Sequence, residues 1–119
     1  MVNYHKTLVS TLNTILPTHY ELFLHRGLET PCISYMELDN SDREIGDTLG
    51  YSSLQYQIKV WGTDIGELQE YSQEIHSALR PLGWERISSN ELHDRESAMI
   101  QKIFTYQAKA WETYDIKED

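Results

Sequence analysis

Any chemistry in this chain has to come from five histidines, one cysteine and an excess of carboxylates. His19 and His25 lie on one face of an alternating segment with Glu21 between them. In an extended strand their Cα atoms stand ~20 Å apart, too far for both imidazoles to hold one ion. His76 has no second ligand one helical turn away, and His93-Asp-Arg-Glu96 lacks the HExxH spacing that puts two imidazoles on one helix face. Cys32 meets the minimum for a nucleophile, but it follows Pro31 at a strand entry, where a small buried hydrophobe belongs. Asp39, Asp42, Glu44 and Asp47 have the right type for acid–base work, yet they fall in a polar, glycine-broken segment that makes a poor scaffold for fixed geometry. The six glycines form neither GxGxxG nor GxxxxGK[ST], so no phosphate cradle is present. These residues predict no catalytic site, no metal and no cofactor.

The elements that would carry a site are clearest between Leu54 and Leu82. Leu54, Tyr56, Ile58 and Val60 alternate with Ser53, Gln55, Gln57 and Lys59, the period of a strand with one core face and one wet or contacting face. Trp61 falls on the mostly polar face and is a candidate for a contact outside the core. After Gly62, Thr63 or Asp64 can cap a helix, with Glu67 at capping-box spacing from Asp64. Ile65, Leu68, Tyr71, Ile75, Ala78 and Leu79 then form an apolar stripe opposite Glu67, Glu70, Gln73, Glu74 and Ser77, until Pro81 and Gly83 end the helix.

Upstream, the spacing of Leu8, Leu12, Ile15 and Leu16 predicts a helix over about residues 3–16, closed by Pro17. A strand is expected over 19–26 and another over 32–38, followed by an exposed loop from Glu37 to Gly50 that sets five acids against one arginine. Downstream, a short strand over 84–87 and a polar connection over 88–97 lead to a long strand over 99–111. There Ile100, Phe104, Tyr106, Ala108 and Ala110 share a face interrupted by Lys102, and Ile103 and Trp111 share the other. The expected fold is α+β, a mainly antiparallel sheet with two helices packed on one face. Residues 1–112 read as one domain, and 113–119 as an acidic, frayed tail.

The net charge of −9 repels a phosphate backbone over most of the surface, which disfavours stable nucleic-acid binding. A lone cysteine forms no internal disulfide, and no stretch approaches the ~20 apolar residues of a membrane span. Folding in a reducing cytoplasm, without a signal peptide or membrane partner, is the expectation.

The run Tyr56-Gln-Ile-Lys-Val-Trp61, then the capped helix ending Ala78-Leu-Arg-Pro-Leu-Gly-Trp84, then a polar turn and a long closing strand, form a pattern spanning roughly residues 28–112, with Pro31-Cys-Ile-Ser-Tyr35 as its early strand. This pattern resembles the small tail-completion and tail-terminator proteins of long-tailed bacteriophages, in which Y-x-I-x-V-W precedes a helix closing on A-L-x-x-x-G-[FW]. The resemblance implies a structural virion protein of the head–tail junction, in the tail or neck, folded in the bacterial host cytoplasm. It further implies a homo-oligomer, a hexameric ring, whose partners are the tail tube protein and head–tail connector proteins, with DNA passing through without being stably held. Trp61, Ile103 and Trp111, together with Asp39, Asp42, Glu44 and Asp47, are the candidate subunit or partner contacts. Two alternatives differ in class: a neck, head-completion or adaptor protein, and a small hydrolase-type enzyme using Cys32 or the loop carboxylates.

Overall fold

A computed structural model describes residues 4–21, 29–45 and 49–113, with the side chains of 42–45, 49–52 and 110–113 outside the description. Helix α1 (Tyr4–Asn13) leads into strand β1 (Thr18–Tyr20), then β2 (Cys32–Ile45), β3 (Leu49–Gly62), helix α2 (Ile65–Leu79), β4 (Glu85–His93) and β5 (Ile100–Thr113). The five strands form one sheet in the order β1-β2-β3-β5-β4. Among the described residues β1 and β2 pair in parallel, and the β2–β3, β3–β5 and β4–β5 pairs are antiparallel. The expected α+β class holds.

Both helices lie on one side of the sheet because their apolar stripes meet one strand face. Leu8, Leu12, Leu16, Leu68, Ile75 and Leu79 pack against Ile33, Tyr56, Ile58, Val60, Phe104 and Tyr106. At ~25 cal/mol per Å² of apolar area, each of these fully buried side chains contributes about 1.5–3 kcal/mol before conformational entropy is subtracted. Trp84 is also buried, with ring centroids 6.0 Å from Tyr4 and 5.6 Å from Tyr56 in edge-on packing. Among the described residues, its indole nitrogen has no hydrogen-bond partner.

The junction of β3 and α2 is tight. Asp64 caps α2 by accepting from the N–H groups of Gly66 (3.0 Å) and Glu67 (3.3 Å). A Cβ on Gly62 would sit 2.8 Å from Leu68 Cδ2, so glycine there lets the first turn of the helix press onto the strand. At the other end a short 3₁₀ turn, Arg80–Leu82, closes on Gly83 at φ 95°, a left-handed conformation that glycine adopts without a Cβ penalty.

Three expected boundaries change. Helix α1 stops at Asn13, short of Leu16: Thr14 and Ile15 turn back onto Thr11 and Leu12, and Asn13 Oδ1 accepts from the Thr18 N–H. Proline at 17 has no N–H to continue the ladder. The expected loop over 37–50 is instead the far end of a long β2–β3 hairpin, with Asp39 opposite Gln55 and Ile45 opposite Leu49. The expected connection over 88–97 begins as strand, since β4 continues to His93, paired with Ile100. All nine residues of β4 are exposed. An edge strand wet on both faces carries no alternation, and cross-strand backbone hydrogen bonds hold it in place of apolar burial.

The molecule is long. Its principal extents are 55 × 25 × 22 Å and its radius of gyration is 16.4 Å, against about 13–14 Å for a compact chain of this length. Strands β2, β3 and β5 each have fourteen residues, ~46 Å at ~3.3 Å per residue, whereas the fifteen residues of α2 cover only ~22 Å. The sheet therefore outruns its helices. Past Leu54 and Ala108, the last core residues on β3 and β5 among the described side chains, the hairpin and the end of β5 continue as a three-stranded projection. No described helix is long and apolar enough to cross a membrane.

Candidate subunit-contact surface

The face of the sheet turned away from α1 and α2 is covered by neither helix, although Cys32, Ser34 and Ser53 on it are buried, and strand alternation decides what it presents. Cross-strand register aligns Leu92, Gln101, Trp61 and Cys32 in one row across β4, β5, β3 and β2, and Asn90, Ile103, Lys59, Ser34 and His19 in the next row, which extends to β1. Toward the projection, Thr105 pairs with Gln57, and Gln107 with Gln55, whose amides meet at 3.3 Å. Most of this face is amide and hydroxyl, in contrast to the exposed Glu67, Glu70 and Glu74 of α2.

Trp61 lies on this face as expected, but it is tied into the chain. Its indole N–H donates to Ser34 Oγ at 2.9 Å, and the Ser34 hydroxyl donates onward to Glu21 Oε1 at 3.3 Å. Glu21 Oε2 accepts from Lys59 Nζ at 2.7 Å, and that ammonium lies 5.6 Å from the Trp61 ring centroid. Four residues from the end of β1, from β2 and from β3 thus form a closed circuit in which the fully buried Ser34 has both a donor and an acceptor role filled. The indole itself is half-buried. Ile103 is also half-buried and sits diagonally between Trp61 and Leu92, which is 55% exposed. Diagonal neighbours on adjacent strands are ~7–8 Å apart, within reach of side chains of this size, so the three make an apolar strip across β3, β5 and β4.

The other expected contacts separate. Asp39 is half-buried on β2 and accepts from Ser41 Oγ at 3.1 Å. Asp42 and Glu44 occupy strand positions opposite Ser52 and Gly50, and Trp111 is opposite Tyr51, all on the projection. The side chains of these three, and the whole of Asp47, lie outside the described residues. The structure thus brings Trp61 and Ile103 together and puts the backbone of Trp111, Asp42 and Glu44 at the far end of the same sheet.

The residues considered for catalysis are dispersed. Cys32 is buried and burial raises its thiol pKa, the reverse of what activates a nucleophile. His5 Nδ1 lies 2.7 Å from Tyr56 Oη, whose pKa is pushed up to about 12 by burial first and then by the Glu37 charge. His76, beside Tyr106, is held below its ordinary value by partial burial and by the charges of Arg86 and Arg80. His93 pairs with Glu91 at 2.6 Å, and that contact, followed by Lys102 at 3.2 Å, lowers the Glu91 carboxyl pKa. His25 lies outside the described residues. Among the described residues no group of three or more histidine, cysteine or acidic side chains is placed to hold a metal ion.

Sequence reading missed the Ser34–Glu21 link. The available signal was a serine between Ile33 and Tyr35 in an otherwise apolar strand entry, but joining it to Glu21 requires the parallel β1–β2 pairing, which no local pattern encodes.

No protein-family model matches the sequence, and no curated protein does. The fold does have solved counterparts. A chain in the virion of a native gene transfer agent particle superposes with a TM-score of 0.64 over 88% of this chain and 84% of that one, at 11% sequence identity. The two share a fold over nearly their full lengths.

Proposed function

We propose that this chain is a non-enzymatic structural subunit of a phage-like virion, built into the head–tail junction as a tail-completion or tail-terminator ring subunit. The observation that carries this reading is the near full-length fold shared with a chain of a gene transfer agent virion. The Y-x-I-x-V-W strand and the A-L-x-x-x-G-W helix end narrow it toward the tail end. Three physical features support it. One sheet face carries neither α1 nor α2 and bears an apolar strip, the sheet projects beyond those helices, and among the described residues β4 is an edge strand. A subunit held by neighbours on several sides needs such surfaces, and a monomer gains nothing from leaving Leu92 and Ile87 exposed. The acidic balance suits a position beside a DNA channel, where each avoided phosphate contact removes a counterion-release gain and lets DNA pass. The buried thiol of Cys32 favours assembly over nucleophilic catalysis.

Deleting the coding sequence from the particle-producing genome and imaging the products tests the reading. Filled heads and separate tails of uncontrolled length or unfinished ends are expected. Normal joined particles without the chain would refute it.

A further inference from the structure

A cavity of about 430 Å³ opens between the end of α2 and the start of β4, on the helix side of the sheet and away from the surface described above. His76 in the last turn of α2, Arg80 in the 3₁₀ turn that follows and Arg86 on β4 all line it. The three feel one another: after partial burial, the charges of Arg86 and then Arg80 hold His76 below its ordinary pKa. Arg86 is placed by the Phe104 ring, whose centroid is 5.4 Å from its Cζ, and it lies close enough to Tyr106 to oppose the effect of burial on that hydroxyl. Trp84, whose buried indole N–H has no partner among the described residues, forms part of the same wall.

The described chain does not balance this charge. In the adjoining groove Lys102 is met by Glu91 at 3.2 Å, whereas among the described residues no carboxylate pairs with Arg80 or Arg86. Glu85 borders the cavity, but strand alternation directs its side chain to the face opposite Arg86, level with Gln107. Glu67, Glu70 and Glu74 of α2 are absent from the lining, and the helix positions turned toward β4 are Gln69, Gln73 and His76. A chain with nineteen acids against ten lysines and arginines thus sets two neighbouring guanidiniums beside a cavity without an internal counter-ion. The negative end of the helix dipole, which opposes an anion here, is blunted. The carbonyls of His76, Leu79 and Arg80 accept from the N–H groups of Arg80, Trp84 and Gly83.

We propose that the Arg80–Arg86 cavity binds a small phosphate-type oxyanion that bridges α2 to β4. Guanidinium forks match the several acceptor oxygens of such an anion, which takes donors from both elements at once. Among the described residues β4 is exposed along its length and pairs only with β5, so the bridge ties its first residues to the helix. The cavity exceeds one phosphate ion and leaves room for an ester group, so the shared chemistry is phosphate, free or as a monoester. The site does not depend on the virion role.

The test titrates the purified full chain with inorganic phosphate at constant ionic strength, chloride making up the difference, and follows amide and imidazole NMR signals. Saturable shifts confined to residues between His76 and Asn90 are expected, with the His76 pKa rising toward its ordinary value and the melting temperature rising with phosphate. Arg80→Gln and Arg86→Gln should each weaken binding by at least about fivefold, and Arg95→Gln, on the β4–β5 turn, should leave it unchanged. If Arg86→Gln disturbs the Phe104 contact and unfolds, Arg80→Gln decides by itself, since Arg80 is exposed. Glycerol phosphate binding more tightly than inorganic phosphate upholds the site with a monoester as its ligand, and weaker binding upholds it with the free ion. Shifts that never saturate, an unchanged Arg80→Gln variant, or a short DNA duplex binding there more tightly than either probe would each overturn the assignment.

Discussion

The two faces of this sheet are built from the same strands and behave differently. On the helix side, Ile58 and Val60 of β3 and Phe104 and Tyr106 of β5 are fully buried under α1 and α2. One residue along on each strand, Lys59, Trp61, Ile103 and Thr105 are only half-buried, with neither α1 nor α2 above them. The first face makes the fold a closed unit. The second holds a hydrogen-bonded group, buried Ser34 with Trp61 and Glu21, beside an apolar strip and an amide-rich field. A domain with a finished core on one side can present the other side to a neighbour without unfolding in the interval before assembly.

The largest effect that separates the faces is expected from Trp84→Ala, which empties the space between Tyr4 and Tyr56. A loss of about 3–5 kcal/mol is expected in chemical denaturation, with assembly lost only because the fold is lost. Trp61→Ala should reverse that balance. Losing one hydrogen bond and one cation–π contact costs about 1–2 kcal/mol of stability, whereas association should weaken by at least about 2 kcal/mol as a buried aromatic anchor disappears. Paired melting and sedimentation on that variant check this, and equal losses would break the distinction between the faces. Glu21→Gln should lower stability by about 1 kcal/mol or less, because the Lys59 pair retains some solvent access and a neutral hydrogen bond replaces it.

The smallest effect at neutral pH is expected from Tyr56→Phe, and it grows with alkalinity. The Tyr56 hydroxyl is pushed from 10.0 to about 12, so the unfolded chain ionises first. Its contribution is intact below pH 10 and is lost as the pH rises through about 12. Denaturation midpoints between those values should fall more steeply in the wild type than in the variant. A residual slope is expected from Tyr106 and Tyr35, both raised mainly by burial.

What was legible in the sequence follows the same division. The strand–helix junction at Leu54–Leu82 could be read because each element buries one face, so apolar residues recur with its period; Asp64 and Gly83 mark the two ends as expected. The strand beyond Ile87 could not be read because it is wet on two sides, and the hairpin from Glu37 to Gly50 could not be read because its residues are polar and its pairing is set by β3, not by a local pattern. Their pairing is long-range, and hydrogen bonds between backbones leave no trace in side-chain type. Trp61 was legible as an outlier on a polar face, but its anchoring by Ser34 was not, since that depends on which strand lies beside it.

The central claim, that the face away from α1 and α2 is the one assembly covers, is most directly tested by thiol accessibility. Leu92→Cys places a reporter on the apolar strip, and Glu74→Cys places one on the exposed side of α2, while native Cys32 is buried. In the free chain both introduced thiols should alkylate rapidly. In purified particles or the assembled oligomer, Cys at 92 should be protected by at least roughly tenfold while Cys at 74 stays reactive, as expected for a residue inside a dry contact beside one outside it. Equal reactivity at position 92 in the free and assembled states would contradict the assignment of that face to assembly.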